Sequence, residues 1–94
     1  MADVFRALDD ETRRLILDEL AARDGQNLFE ICTGLTTRHG IGSTRQAISQ
    51  HLAVLEDAGL VVTERRGRTK LHYFNRKPLE AISQRWPITR RDAP

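Results

Sequence analysis

The chain is predicted to be mainly α with a small β-hairpin, in the order of four helices, two strands and a fifth helix. Three observations carry this reading. Apolar residues recur at helical spacing in five segments, such as Leu15, Ile16 and Leu20 or Ile48, Leu52 and Leu55. One stretch, LVVTERRGRTKLHYF from Leu60 to Phe74, is instead rich in β-branched, aromatic and apolar residues around Gly67. Glycine and proline punctuate the pattern at Gly25, Gly59, Pro78 and Pro87.

Val4, Phe5 and Leu8 fall on one helical face and predict a short opening helix. Asp10 can cap a second helix over Glu11 to Ala22, with Glu11 near the positive end of its dipole and Gly25 as a left-handed stop. Asn27 with Glu30 has the spacing of a capping box, so a short third helix follows with Leu28, Ile31 and Leu35 inward. Thr36 to Ser43, TTRHGIGS, has two glycines and no periodicity and is expected to be a turn or loop. Ser43 or Thr44 caps the fourth helix, which ends at Gly59 and turns Arg45, Gln46, Ser49 and Gln50 away from its apolar stripe. Strands are expected at Leu60 to Glu64 and Lys70 to Phe74. Pro78 suits the first turn of a last helix carrying Leu79, Ile82 and Trp86, and Pro87 ends it. Residues 1–86 thus read as one domain and 87–94 as a flexible tail. This succession is the order of a winged helix-turn-helix domain.

Ninety-four residues make one domain without a deep core, so a second subunit is a plausible source of extra burial. Hydrophobic residues at 39% and charged residues at 30% suit a soluble globular protein. The longest apolar run is Leu52 to Leu55, and Met1 to Asp3 has no basic leader, so neither a membrane span nor a secretory signal is expected. The single cysteine, Cys32, cannot form an internal disulfide, and a cytoplasmic location is the default. Net charge is only +2, but it is segregated: residues 1–64 hold 6 Arg and no Lys against 11 Asp and Glu, whereas residues 65–94 hold 9 Lys and Arg against 2. A local basic footprint fits a face that meets a polyanion.

LDDETRRLILDEL at Leu8 to Leu20, TRQAISQHLAVLEDAGLV at Thr44 to Val61 and the hairpin RRGRTKLHYF together resemble the arsenic-repressor (ArsR) type of bacterial transcription regulators. The resemblance covers nearly the whole chain up to Trp86. It implies a homodimer paired through the first and last helices, with the fourth helix in the major groove and the hairpin wing on the flanking backbone or minor groove. Carried over residue by residue, Thr44, Arg45, Gln46, Ser49 and Gln50 form the face toward DNA, and His51 either contacts a phosphate or braces the helix.

The chemistry of the residues supports the same division. An Arg can fork onto guanine O6 and N7 and a Gln onto adenine N6 and N7, which makes Arg45 and Gln46 candidate base readers. Arg65, Arg66, Arg68 and Lys70 can neutralise phosphates, with one arginine a candidate for a narrow minor groove. Each feature alone has a plainer reading, since polar helix faces are commonly just solvated and basic hairpin tips keep strand edges soluble.

Val4, Phe5, Leu8, Leu79, Ile82 and Trp86 read as a dimer seam, with a ligand pocket around the last helix as the alternative. In the resembling family metals are held by paired cysteines on the third helix or by Asp/His sets on the last. Here the third helix has only Cys32 and the last has neither His nor Cys, so no metal site is expected. His39, His51 and His72, expected on a loop, a helix and a strand, lack ligand spacing. Cys32 reads as a small, partly buried residue rather than a redox sensor, although a bond between subunits stays open. No cofactor is expected, and the effector, small molecule or metal, is unknown. No nucleophile with its base and no Gly-rich phosphate loop stands out, so an enzyme is not expected. The expected function is a homodimeric repressor on a pseudo-palindromic operator in double-stranded DNA; the alternative is a winged-helix module that contacts protein and uses DNA little.

Overall fold

The computed structural model describes residues 3–88, so residues 89–94 of the expected tail lie outside the described residues. The elements are α1 (Val4–Leu8), α2 (Glu11–Ala22), α3 (Leu28–His39), α4 (Arg45–Asp57), β1 (Val61–Arg66), β2 (Thr69–Phe74) and α5 (Lys77–Arg85).

A helix of five residues is far too short to hold by itself, so α1 needs external partners for its ends. Asp3 accepts from the Phe5 amide at its start. At its end two arginines of α2 reach back to the carbonyls: Arg13 Nε donates to Ala7 O at 2.7 Å, Arg13 Nη2 to Arg6 O at 3.2 Å and Arg14 Nη1 to Leu8 O at 2.7 Å. Only Ala7 of α1 is fully buried. Asp10 caps α2 through the Thr12 amide, and α2 begins and ends where its sequence signals stand.

The expected turn from Thr36 to Ser43 is corrected in its first half, because α3 continues as helix through His39. The capping box forms as expected, with Glu30 N donating to Asn27 Oδ1 at 2.8 Å and Asn27 N to Glu30 Oε1 at 3.0 Å. The extra turn is held from outside the segment. Arg38 makes three hydrogen bonds of 2.8 to 3.1 Å to the carboxylate of Glu19, a residue of α2 only 3% exposed. His39 Nε2 lies 3.4 Å from the same group, so His39 belongs to a helix end rather than a loop. Gly34 makes room for the pair, since a Cβ there would collide with Arg38 Nη2 and come within 2.7 Å of Glu19 Oε1. Left-handed Gly40 then stops the helix.

Thr44 rather than Ser43 caps α4, its Oγ1 accepting from Ala47 N at 3.1 Å. Ile48, Leu52 and Leu55 are buried with Ile16, Leu17 and Leu20 of α2, Ile31 and Leu35 of α3, and Ala7, Ala58, Leu60 and Val61, in one core. β1 and β2 pair antiparallel from Val61 opposite Phe74 to Arg66 opposite Thr69, longer at the tip than the sequence suggests. Gly67 at φ 61 takes the first central position of the two-residue turn, as a II′ turn requires. The hairpin root is tied down by a bridge: His72 N donates to Gln26 O at 2.8 Å and Gly25 N to His72 O at 2.9 Å. Gln26 and His72 are both buried, 1% and 4% exposed. Beyond Val61 every β1 residue is exposed, so the rest of the hairpin projects from the body.

Pro78 lies in the first turn of α5, and the helix stops before Pro87. No α5 residue is fully buried; Leu79 packs partly on the core. No helix among the described residues is long and apolar enough to cross a membrane.

The hydrogen bonds from Arg38 hold the Glu19 carboxyl below the usual carboxylate range, against the opposing effect of burial. A depressed folded-state pKa adds stability above the unfolded value, and that stability is lost as pH falls through the folded one. Glu19→Gln should therefore cost about 1–3 kcal/mol at pH 7. In urea unfolding followed down the pH scale, the gap between wild type and variant should close as the wild-type carboxylate protonates.

Candidate nucleic-acid interface

The buried stripe of α4 leaves Arg45, Gln46, Ser49 and Gln50 exposed on the other side. Thr44 is exposed too, but its hydroxyl oxygen already accepts the capping bond. The four exposed side chains offer donors and acceptors without backbone duties. They stand close to the N-terminal end of a 13-residue helix, where the dipole favours an anion.

Arg45 does not stand alone. Its guanidinium lies 5.6 Å from the ring centre of Phe29 on the first turn of α3, within reach of a cation–π contact. Phe29 is 61% exposed, an unusual setting for a phenylalanine on a helix that buries Ile31 and Leu35 and partly buries Leu28 and Cys32. Its sequence signal is that it falls off the Leu28, Ile31 and Leu35 stripe, an aromatic on a polar face; the site reading from sequence did not include it.

His51 is placed differently from the other α4 candidates. It sits half-buried at the flank of the helix, with Nδ1 3.2 Å from Arg13 Nη1 and 3.7 Å from Asp10 Oδ2. Of the two roles left open for it, the bracing contact is present. Arg13, which makes that contact, is 38 residues away in sequence and carried no local signal.

In the wing the register decides which cations share a face. Arg65 is opposite Lys70 and Arg66 opposite Thr69, and directly paired residues point to the same side of a sheet. Lys70 Nζ lies 3.5 Å from Glu56 Oε2 of α4, which places the Arg65 and Lys70 face toward that helix. Arg66 Nε lies 3.4 Å from Glu64 Oε1 along its own strand. Arg68 is in the turn and exposed, with no ion pair among the described residues. A cleft of about 360 Å³ opens between the start of α3, α4 and the hairpin, and Phe29, Ser49, Arg68 and Lys70 all line it. α4 and the wing thus border one concave surface, which takes Ser49 but not Arg45, Gln46 or Gln50 from the reading face, and Arg68 and Lys70 but not Arg65 or Arg66 from the wing; among the described residues Glu56 is the one carboxylate on its wall.

Of the expected seam residues, Val4, Phe5, Leu8 and Ile82 lie around neighbouring depressions, whereas Leu79 packs against the core and Trp86 lines neither depression. Val4, Phe5 and Ile82 line an apolar depression of about 290 Å³ between α1 and α5, while Leu8 borders a second one beside Phe5. Phe5 is 50% and Trp86 57% exposed, and the Arg85 guanidinium stacks 4.4 Å from the Trp86 ring centre. Among the described residues no three His, Cys, Asp or Glu side chains cluster as metal ligands would.

Cys32 is half-buried on α3, and burial pushes its thiol up from the ordinary value, with Arg45 pulling the other way. Alkylation by iodoacetamide at pH 7.5 should accordingly run slower than for free cysteine and accelerate at higher pH than the free amino acid does.

Comparison with known proteins agrees with this arrangement. Residues 8–64 match the helix-turn-helix domain family. An uncharacterized HTH-type transcriptional regulator of Bacillus subtilis, YuzN, is 48% identical over 83 residues, covering 88% of this chain and 90% of its own length. The solved structure of an ArsR-like transcriptional regulator from Rhodococcus sp. RHA1 superimposes with a TM-score of 0.69 at 36% identity, covering 87% of this chain and 71% of that one. HlyU from Vibrio cholerae superimposes with a TM-score of 0.68 at 26% identity over 86% and 80%. These are regulators of transcription rather than enzymes. A helix-turn-helix with its buried α4 stripe, a basic wing over the same cleft and relatives of this kind leave one assignment: the chain belongs to the ArsR-type winged helix-turn-helix transcriptional regulators.

Proposed function

We propose that the chain acts as a cytoplasmic, homodimeric repressor that binds a pseudo-palindromic operator in double-stranded DNA. The observation that carries this is the cleft between α4 and the wing, lined by Ser49 of the α4 polar face and by Arg68 and Lys70 of the hairpin. A duplex offers base edges and phosphates at that combination of distances and charges. Arg45 and Gln46 read bases, each good bidentate pair adding about 1–3 kcal/mol of discrimination. Ser49 and Gln50 complete the reading face, and Thr44 sets its start. Arg65, Arg66, Arg68 and Lys70 hold the backbone, with Arg66 and Lys70 exchanging their carboxylate partners for phosphates. Phe29 props the Arg45 guanidinium.

The dimer reading is supported by the α1 and α5 face. A last helix with no fully buried residue and a half-exposed Phe5 and Trp86 would gain burial from a second copy. Val4, Leu8, Leu79 and Ile82 supply the rest of that seam. Two-fold pairing would set the two α4 helices about one DNA turn apart, roughly 10–10.5 bp between half-site centres. Bound across a promoter, such a dimer blocks polymerase. Residues 1–86 form the working unit.

Selection of bound fragments from random duplexes, with sedimentation of the same sample, tests this directly: a dimer should enrich an inverted repeat. A monomer at micromolar concentration without duplex preference would contradict it, and salt-resistant binding to a protein partner would favour the interaction-module alternative. The roles of helix and wing separate in a salt titration. Arg45→Ala should flatten base preference, whereas Arg68→Ala should weaken all duplexes alike and reduce the salt slope by about 0.9.

A further inference from the structure

Arg13 is the most heavily engaged cation of the body. Its side chain is 15% exposed, and its three nitrogens serve three elements: Nε and Nη2 donate to carbonyls of α1, while Nη1 approaches Asp10 at 3.5 Å and Nδ1 of His51 on α4 at 3.2 Å. The α1 carbonyls fix the guanidinium in place, so the His51 contact is made by a group that cannot easily turn away.

A guanidinium has donors only. Its hydrogen bond to His51 therefore needs a lone pair on Nδ1, and the ring proton then resides on Nε2. The His51 side chain is 25% exposed, and among the described residues Nε2 has no hydrogen-bond partner. At position 51 the ring lies at the flank of α4, beside the reading face rather than on it, where a groove-bound helix passes the DNA backbone. We propose that Arg13 is a positioning residue: it holds His51 in the tautomer whose exposed Nε2–H donates to a phosphate oxygen of the operator backbone. This rests on the DNA reading given above and adds to it a residue that touches no nucleic acid. The same arginine links the helix of the expected dimer seam to the helix that reads DNA.

Nitrogen-15 spectra of the His51 ring in the DNA-free protein decide the tautomer whether or not the chain binds a duplex. The expected spectrum shows a proton on Nε2 and a bare Nδ1 in wild type, and a mixture of tautomers in Arg13→Ala. In duplex binding, Arg13→Ala and His51→Ala should each weaken affinity about 3- to 10-fold. His51→Gln, whose amide N–H donates without help, should retain affinity, and adding Arg13→Ala to it should cost no more than Arg14→Ala does through the loosened α1. Arg14→Ala releases α1 from the same α2 segment without touching the ring, so it should leave the tautomer unchanged and cost less affinity than Arg13→Ala. A ring protonated on Nδ1 and facing Asp10 would overturn the proposal. So would an Arg14→Ala variant that loses as much DNA affinity as Arg13→Ala.

Discussion

Ile48, Leu52 and Leu55 are buried against α2, α3 and the start of β1, and each residue of a helix has a single azimuth. That burial alone decides where residues 45, 46, 49 and 50 point. The remaining elements can be understood as supports for this one helix. α2 and α3 supply the surface that receives its stripe, and Gly59 at φ 77 turns the chain sharply so that Leu60 and Val61 close the same core. The wing reaches the exposed side of α4 because the hairpin starts so soon after the helix ends.

Buried polar groups then lock the angles between supports. The Gln26 and His72 bridge pins the hairpin root to the α2–α3 connection, and the His72 ring adds a bond from Nδ1 to Gln26 O at 2.9 Å. Gln26 donates from Nε2 to the carbonyls of Glu19 and Arg23, at 3.0 and 2.6 Å, which closes off the end of α2. Its Oε1 is buried without a partner among the described residues, a local cost accepted where three segments converge. Glu19 and Arg38 do the same on the far side, where Gly34 lets α3 approach α2 closely enough for the pair to form.

Features written locally in the chain were legible from it. Asp10, Asn27 with Glu30, and Thr44 cap the helices they signal, and the α4 stripe and Gly67 turn stand where their residue types place them. What escaped reading depends on residues distant in sequence. The last turn of α3 is polar and without period, and it is helical because Glu19, 19 residues earlier, holds Arg38. The placement of His51 involves Arg13, and the setting of Arg45 an aromatic of the preceding helix. Histidine 72 reads as an ordinary strand residue until the Gln26 bridge buries it.

The capture of the α1 carbonyls by Arg13 and Arg14 has a consequence for association. A five-residue helix left to itself would be a fluctuating segment, and a partner binding it would have to bear the entropy of ordering it. Here that ordering is accomplished inside one subunit, by side chains of α2. The surface carrying Phe5 is therefore preorganised: a partner binding there would be spared the entropy of ordering α1, and its release would leave the same contour in place.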